Sequence, residues 1–150
     1  MLSDLLTLYR SLFFQKDIRG LIMNRVVVGL GSNINPEKNI KLAIKEIDCH
    51  HIIISESEII ETEPVGFLDQ DNFLNGALLV ETKFGMDKLK LWLKEVENKL
   101  GRIRTTNKNG PRTIDLDIVV WNGEVIDDDI YKRDFLKESV LEVLPELNLS

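Results

Sequence analysis

The sequence predicts an α+β fold: a ferredoxin-like β-α-β-β-α-β sheet with helices packed on it, then a small hairpin and a C-terminal helix. Three observations predict it. Two amphipathic helical stretches alternate with strand-like apolar runs. One run, Thr113 to Trp121, alternates in character with a period of two. Directly after it, Asn122-Gly123 marks a tight hairpin turn. With 150 residues, 43% apolar and 29% charged, the chain supports one domain with a real core. We read residues 24–150 as that domain and residues 1–23 as an N-terminal extension.

The elements follow in order. Arg25 to Leu30 is an apolar run of buried-strand character that leads into Gly31-Ser32-Asn33. Asn35 stands where it would cap a helix whose first position is Pro36, and Ile40, Ala43, Ile44 and Ile47 give that helix one apolar stripe. A Gly-Ser-Asn loop ahead of a helix could hold an anion, though such loops are mostly only turns. His50 and His51 read as connector residues without metal partners. Ile52 to Thr62 reads as one second strand, ended by the turn Glu63-Pro64-Val65-Gly66. Phe73 to Thr82 reads as a third, with Phe73, Asn75 and Ala77 on one face and Leu74, Leu78 and Val80 on the other. Met86 to Leu100 carries the stripe Leu89, Leu93, Val96 and Leu100 and stops at Gly101, with Trp92 read as packing. After the central strand, Glu124-Val125-Ile126 closes the hairpin. Asp127-Asp128-Asp129 reads as a helix cap or a solvated acid cluster, and a last helix covers Asp134 to Leu144. The sheet is expected to be mixed and mainly antiparallel.

Charge and composition narrow the function. A net charge of −6 argues against a nucleic-acid or membrane-surface binder. The single cysteine, Cys49, forms no internal disulfide, which fits a reducing cytoplasm; we expect a buried structural thiol. In residues 1–23, Leu5, Leu8, Tyr9 and Leu12 have helical spacing, but charges interrupt any membrane-length run and no signal-peptide pattern is present. The segment reads either as a short helix packed on the domain or as the product of an early start codon, with Met23 the natural first residue.

The chemistry concentrates between Gly101 and Trp121. Ile114, Leu116, Ile118 and Val120 fix one strand face in the core, leaving Thr113, Asp115, Asp117, Val119 and Trp121 on the other. Asp115 and Asp117 then project side by side, with Cβ atoms roughly 7 Å apart. Such a pair suits Mg²⁺, which takes one or two carboxylates, waters and substrate phosphates; taken alone it is more often merely solvated. Upstream, Arg102, Arg104, Lys108 and Arg112 lie in a loop-like run free of acids. Cations beside a carboxylate pair describe a polyphosphate site, because arginine offers a planar fork to phosphate oxygens. Phe73 and Asn75 read equally as a stacking ring beside an amide that recognises a heterocycle edge, or as a core Phe beside a strand-end Asn.

G-L-G-S-N at 29–33, E-T-E-P-V-G at 61–66, F-L-N at 73–75 and G-R-I-R…G-P-R-T-I-D-L-D-I at 101–118 keep a shared order and spacing. Over about residues 25 to 147 this pattern resembles the 6-hydroxymethyl-7,8-dihydropterin pyrophosphokinase family. The resemblance implies transfer of pyrophosphate from ATP to the hydroxymethyl group of the reduced pterin, releasing AMP, in folate biosynthesis. It implies that Asp115 and Asp117 hold two Mg²⁺ ions and that they act with Arg102 and Arg112 in catalysis. On the ATP side it places Glu97, Arg102, Arg104, Lys108, Arg112, Ile118 and Arg133. On the pterin side it places Gly31, Thr62, Pro64, Val65 and Asn75, with Phe73 and Phe135 as the two slices of an aromatic sandwich. The expected partners are ATP and a reduced pterin, with no nucleic acid and no membrane, for a cytoplasmic protein that is a monomer or weak oligomer.

The chain also departs from that pattern. Lys108-Asn109 stands where an Arg-Trp or similar pair is common, no Pro-His segment follows the hairpin, and the tail past Pro145 is short. A catalytically weak or inactive descendant that binds pterin or nucleotide is therefore one alternative. A nucleotidyltransferase of the polymerase-β type is another, but there Gly-Ser and Asp-x-Asp lie close together, whereas Gly31-Ser32 is far upstream of Asp115.

Overall fold

The computed structural model describes residues 22–103 and 109–149, so the readings of residues 1–21, Arg104 and Lys108 lie outside the described residues. The elements are β1 (Asn24–Ser32), α1 (Pro36–His50), β2 (Ile52–Glu56), β3 (Ile60–Thr62), β4 (Phe73–Thr82), α2 (Met86–Lys99), β5 (Asp115–Trp121), β6 (Glu124–Val125), a 3-10 turn (Asp128–Tyr131) and α3 (Asp134–Val143). The α+β class and the β-α-β-β-α-β order are as expected. The strands lie in the order β2-β4-β1-β5-β6, with β3 also on β4.

The expectation of a mixed sheet is corrected. Every described pairing is antiparallel. Each helical crossover skips one strand, so β4 lies between β1 and β2, and β1 lies between β4 and β5. Strands joined through a helix run parallel without touching.

Apolar side chains alternate along β1, and each set has its own cover. Val26, Val28 and Leu30 meet Ile40, Ala43 and Ile47 of α1 and Leu89, Leu93 and Val96 of α2. Val27 faces the other way, with Ala77, Leu79, Val119 and Val120, and meets Val140 and Val143 of α3. The sheet is thus a middle layer, with two helices on one face and one on the other. No helix among the described residues is long and apolar enough to cross a membrane.

Four local expectations are corrected. The alternation of β5 breaks at Val119: Val120 pairs with Val27 and Ile118 with Val28, so Val119 is an extra residue in a bulge. Val119 and Val120 therefore both enter the α3 core, while Trp121 turns to the other. The expected strand from Ile52 to Thr62 is two strands, because Ser57 uses its own hydroxyl to accept the Ala77 N–H (2.8 Å) while its N–H reaches the Ala77 carbonyl (2.9 Å). Asn35 precedes α1 in a left-handed conformation (φ 42°) with no side-chain cap; the Asn39 amide instead donates to the Ile34 carbonyl (2.6 Å). Cys49 is exposed, not buried, since two helical steps past buried Ile47 carry it about 200° round the axis.

His51, just past α1, is buried edge-on against Phe84 and Trp92, with ring centroids 4.9 and 4.5 Å away. Burial, with a smaller contribution from the charge of His50, lowers its pKa to about 4. A neutral imidazole therefore belongs to this core.

Candidate active site

The α3 face of the sheet changes character along its length. Under the helix, β1, β4 and β5 contribute Val27, Leu79 and Val119. Further along, β1 contributes only Gly29 and Gly31, while its partners contribute Asn75 and Asp115 opposite Gly31 and Ala77 and Asp117 opposite Gly29. The middle strand thus has no side chains here, and a trough opens between two polar walls. Gly31 is where the space is tightest: a Cβ there would stand 2.9 Å from Asn75 Oδ1.

The resulting cleft holds about 790 Å³, counting space open to solvent. Gly31, Thr62, Val65, Phe73, Asn75 and Phe135 all line it, as do Arg112, Asp115, Asp117 and Arg133. Phe73 and Phe135 are half-buried, with surface left to meet a ligand. Asn75 donates through Nδ2 to the Thr62 hydroxyl, so Oδ1 is the atom turned over Gly31. Pro64 is buried and is not among the lining residues, so it shapes the wall from behind.

Asp115 and Asp117 occupy different electrostatic settings. Asp115 accepts from Arg102 Nη1 at Oδ1 (3.0 Å) and from Arg112 Nη1 at Oδ2 (2.7 Å). Asp117 is pushed up to about 7, first by desolvation in the recess, then by the charge and hydrogen bond of Asp115 and the charges of Glu97 and Asp127. Its outer surface is nevertheless open to solvent. Asp117 is thus a carboxylate short of neighbouring positive charge, beside one that has two arginines.

Glu97 is buried at 3% exposure and satisfied twice through Oε2. It accepts from Arg102 Nη1 (2.7 Å) and from the Leu116 backbone N–H (2.8 Å). A buried carboxylate is tolerated when it is paired in this way. It belongs to the spacing Leu89, Leu93, Glu97, which carries the apolar stripe of α2 toward β5.

A second recess of about 1090 Å³, counting open space, lies beyond the carboxylates. Lys90, Leu93, Lys94, Glu97 and Arg102 line one side, Ile126, Asp127 and Asp128 the other, and Ile118 borders it from the core. The two recesses share Asp115, Asp117 and Asp127. Arg133 faces the first and lies 3.7 Å from Asp129.

Several residues here escape the sequence reading. Asp127 caps the 3-10 turn as one of its two sequence readings has it, accepting the Asp129 N–H (3.0 Å); what the sequence does not give is its place bordering both recesses. Lys90 and Lys94 are four apart on a helix and fall on the side of Glu97, a spacing that could have marked them. Asn33 and Gln70, which join loops beside the cleft, carry no comparable signal.

A mixed wall of rings and amides, joined by two carboxylates to a recess where Lys90, Lys94 and Arg102 stand among acids, is the kind of site at which an enzyme moves phosphoryl groups onto a small heterocyclic acceptor. Residues 27–145 match the family of 7,8-dihydro-6-hydroxymethylpterin-pyrophosphokinase (HPPK), and the chain belongs to that family. It is 34% identical over 137 residues to the 2-amino-4-hydroxy-6-hydroxymethyldihydropteridine pyrophosphokinase of Bacillus subtilis (strain 168), covering 83% of this chain and 81% of the relative. It is 35% identical over 134 residues to the protein of that name from Aquifex aeolicus (strain VF5), covering 83% of each. It is 33% identical over 131 residues to the folic acid synthesis protein FOL1 of Dictyostelium discoideum, covering 81% of this chain but only 20% of that longer protein. Enzymes of this family are ATP-dependent pyrophosphokinases of folate biosynthesis.

Proposed function

We propose that this chain transfers pyrophosphate from ATP to 6-hydroxymethyl-7,8-dihydropterin at the junction of the two recesses, as a single domain spanning residues 24–150. The observation that carries the reading is that Asp115 and Asp117 are common to both recesses. A flat ring in the first recess would lie between Phe73 and Phe135, and Asn75 Oδ1 would accept from one of its N–H groups. Gly31 leaves room for the ring and Val65 covers part of it. The nucleotide would take the second recess, beside Lys90, Lys94 and Ile118, with Arg102, Arg112 and Arg133 near its phosphates; Arg104 and Lys108 complete the expected cationic set.

In the transfer, the hydroxymethyl oxygen bonds to the β-phosphorus, the bond from that phosphorus to the α,β-bridging oxygen breaks, and AMP leaves as the hydroxyl proton is lost. The protein's part is to hold the two reactants in line and to offset charge on the phosphates. Arg102 and Arg112 serve the second purpose, and Glu97 keeps Arg102 in place.

Asp115 and Asp117 fit Mg²⁺, and we propose two ions there. Asp117, its pKa pushed up to about 7 first by desolvation and then by its acidic neighbours, is an oxygen donor short of positive charge beside Asp115. Among the described residues no three acidic or imidazole side chains converge on one point, which leaves the remaining ligand positions to water and substrate oxygens. Bound there, Mg²⁺ would offset the charge of the phosphate oxygens as they react. We further propose a cytoplasmic protein, monomeric or weakly associated, acting on two small molecules and on neither nucleic acid nor membrane.

The test is incubation with ATP, Mg²⁺ and the reduced hydroxymethylpterin, followed by mass spectrometry. Equal amounts of AMP and pterin diphosphate are expected. Binding of the pterin with no AMP formed would instead make the chain a binding descendant, its nucleotide grip lost with the Pro-His segment.

A further inference from the structure

The loop that carries Arg112 is joined to the opposite side of the cleft by two side chains, Asn33, which is 5% exposed, and Gln70. Asn33 Nδ2 donates to Gln70 Oε1 (2.9 Å) and to the Asp71 carbonyl (3.0 Å). Its Oδ1 accepts from the Arg112 backbone N–H (2.8 Å), and its own N–H donates to the Arg112 carbonyl (3.1 Å). Gln70 extends the connection, donating through Nε2 to the carbonyls of Phe67 (2.6 Å) and Asn109 (2.5 Å). Gly66 (φ 86°) packs against the same segment: a Cβ there would stand 2.6 Å from Asn109 Nδ2.

Two segments are therefore fastened to each other and to the end of β1. Residues 66–71 continue the wall that begins at Val65. Residues 109–113 include Arg112, whose guanidinium holds Asp115. The amide of Asn33 has one workable orientation, because turning it over would set its NH₂ against the Arg112 N–H and its oxygen against two acceptors. A buried amide with all of these bonds made is rigid, and losing one leaves a desolvated polar group.

We infer that Asn33 is a positioning residue for the transfer proposed above: it sets Arg112 relative to the pterin-side wall, so that neither side of the cleft shifts alone. It touches no substrate and acts through Arg112 and Gln70.

Two variants test this in the full-length protein. Gln70→Ala removes the far end of the connection without touching Arg112. Asn33→Asp keeps the acceptor for Arg112 but sets a carboxylate against Gln70 Oε1 and the Asp71 carbonyl, at unchanged size. In Gln70→Ala, amide hydrogen exchange across 109–113 should rise about tenfold while exchange in β1 and α2 stays as in wild type; unchanged exchange at 109–113 overturns the inference. In Asn33→Asp, kcat should fall about tenfold with KM for the pterin within about threefold. An unchanged kcat, or a loss matched by loss of folded protein, also overturns it. A wild-type protein that forms no AMP would defeat the proposed transfer instead, and the exchange experiment would still decide whether Asn33 and Gln70 hold the two segments together.

Discussion

The two halves of the sheet's α3 face are built from the same three strands and do opposite things. Under α3, β1, β4 and β5 present Val27, Leu79 and Val119, and the surface is closed. Two residues on in β1 the side chains vanish at Gly29 and Gly31, while the flanking strands turn to Ala77, Asn75, Asp117 and Asp115. The difference lies first in the centre strand: a cleft forms because its middle is left empty, and the flanking residues then face a void that a substrate can fill. The closed half supplies the burial that holds the open half in shape.

Substitutions in the two halves should therefore separate activity from stability. The largest effect is expected at Asp117. Asp117→Ala should lower the rate of AMP formation by about three orders of magnitude while the melting temperature holds or rises, because a desolvated acid crowded by other acids is removed. Near-normal turnover in that variant would end the two-carboxylate reading. Gly31→Val comes next: filling the trough should weaken pterin binding about 100-fold by calorimetry, with ATP affinity changed much less. If both ligands weaken equally, the trough is not the pterin site.

Phe73→Ala should cost the pterin about 10-fold in affinity and the nucleotide little, as expected for loss of one stacking ring; equal losses would return Phe73 to the core. In the closed half, Val27→Ala should cost about 2 kcal/mol in denaturant unfolding and leave kcat alone. A fall in kcat without a fall in stability would contradict the division of labour.

The smallest effect concerns the other face. His51 has a folded pKa of about 4 against an ordinary 6.5, so between those values the unfolded chain binds the extra proton. Its contribution to stability is full above pH 6.5 and is lost as the pH falls toward 4. His51→Phe should flatten the melting temperature over that window by a few degrees relative to wild type. An identical pH profile in the variant would show that other groups carry the acid sensitivity.

Much of this was legible along the chain where local pattern and tertiary role agree. The period-two run placed Asp115 and Asp117 on one face opposite Leu116 and Ile118, and Phe73, Asn75 and Ala77 share a face as their spacing requires. Asn122-Gly123 forms its turn with both residues at positive φ. What was not legible depends on partners distant in sequence. Val119 bulges because β1 offers no residue to pair with it, and nothing around Val119 records that. Ser57 interrupts a run rich in β-branched residues through a hydroxyl bond to a strand twenty residues on. Asn33 looked like a turn residue, and its worth depends on Gln70 and Arg112, which only the fold brings near.

One arrangement at the edge of the sheet has a consequence for the protein in a crowded cell. Among the described strands, β6 covers only Val120 and Trp121 of β5, so the stretch that bears the carboxylates is an outer strand. An uncovered outer strand is a template on which another copy could build, and repeated addition of that kind ends in fibrils. Glu97 occupies the Leu116 N–H from the side, and Arg102, bound to Glu97, lies across the same margin. The carboxylate that holds Arg102 thus also occupies a backbone donor that an incoming strand would need.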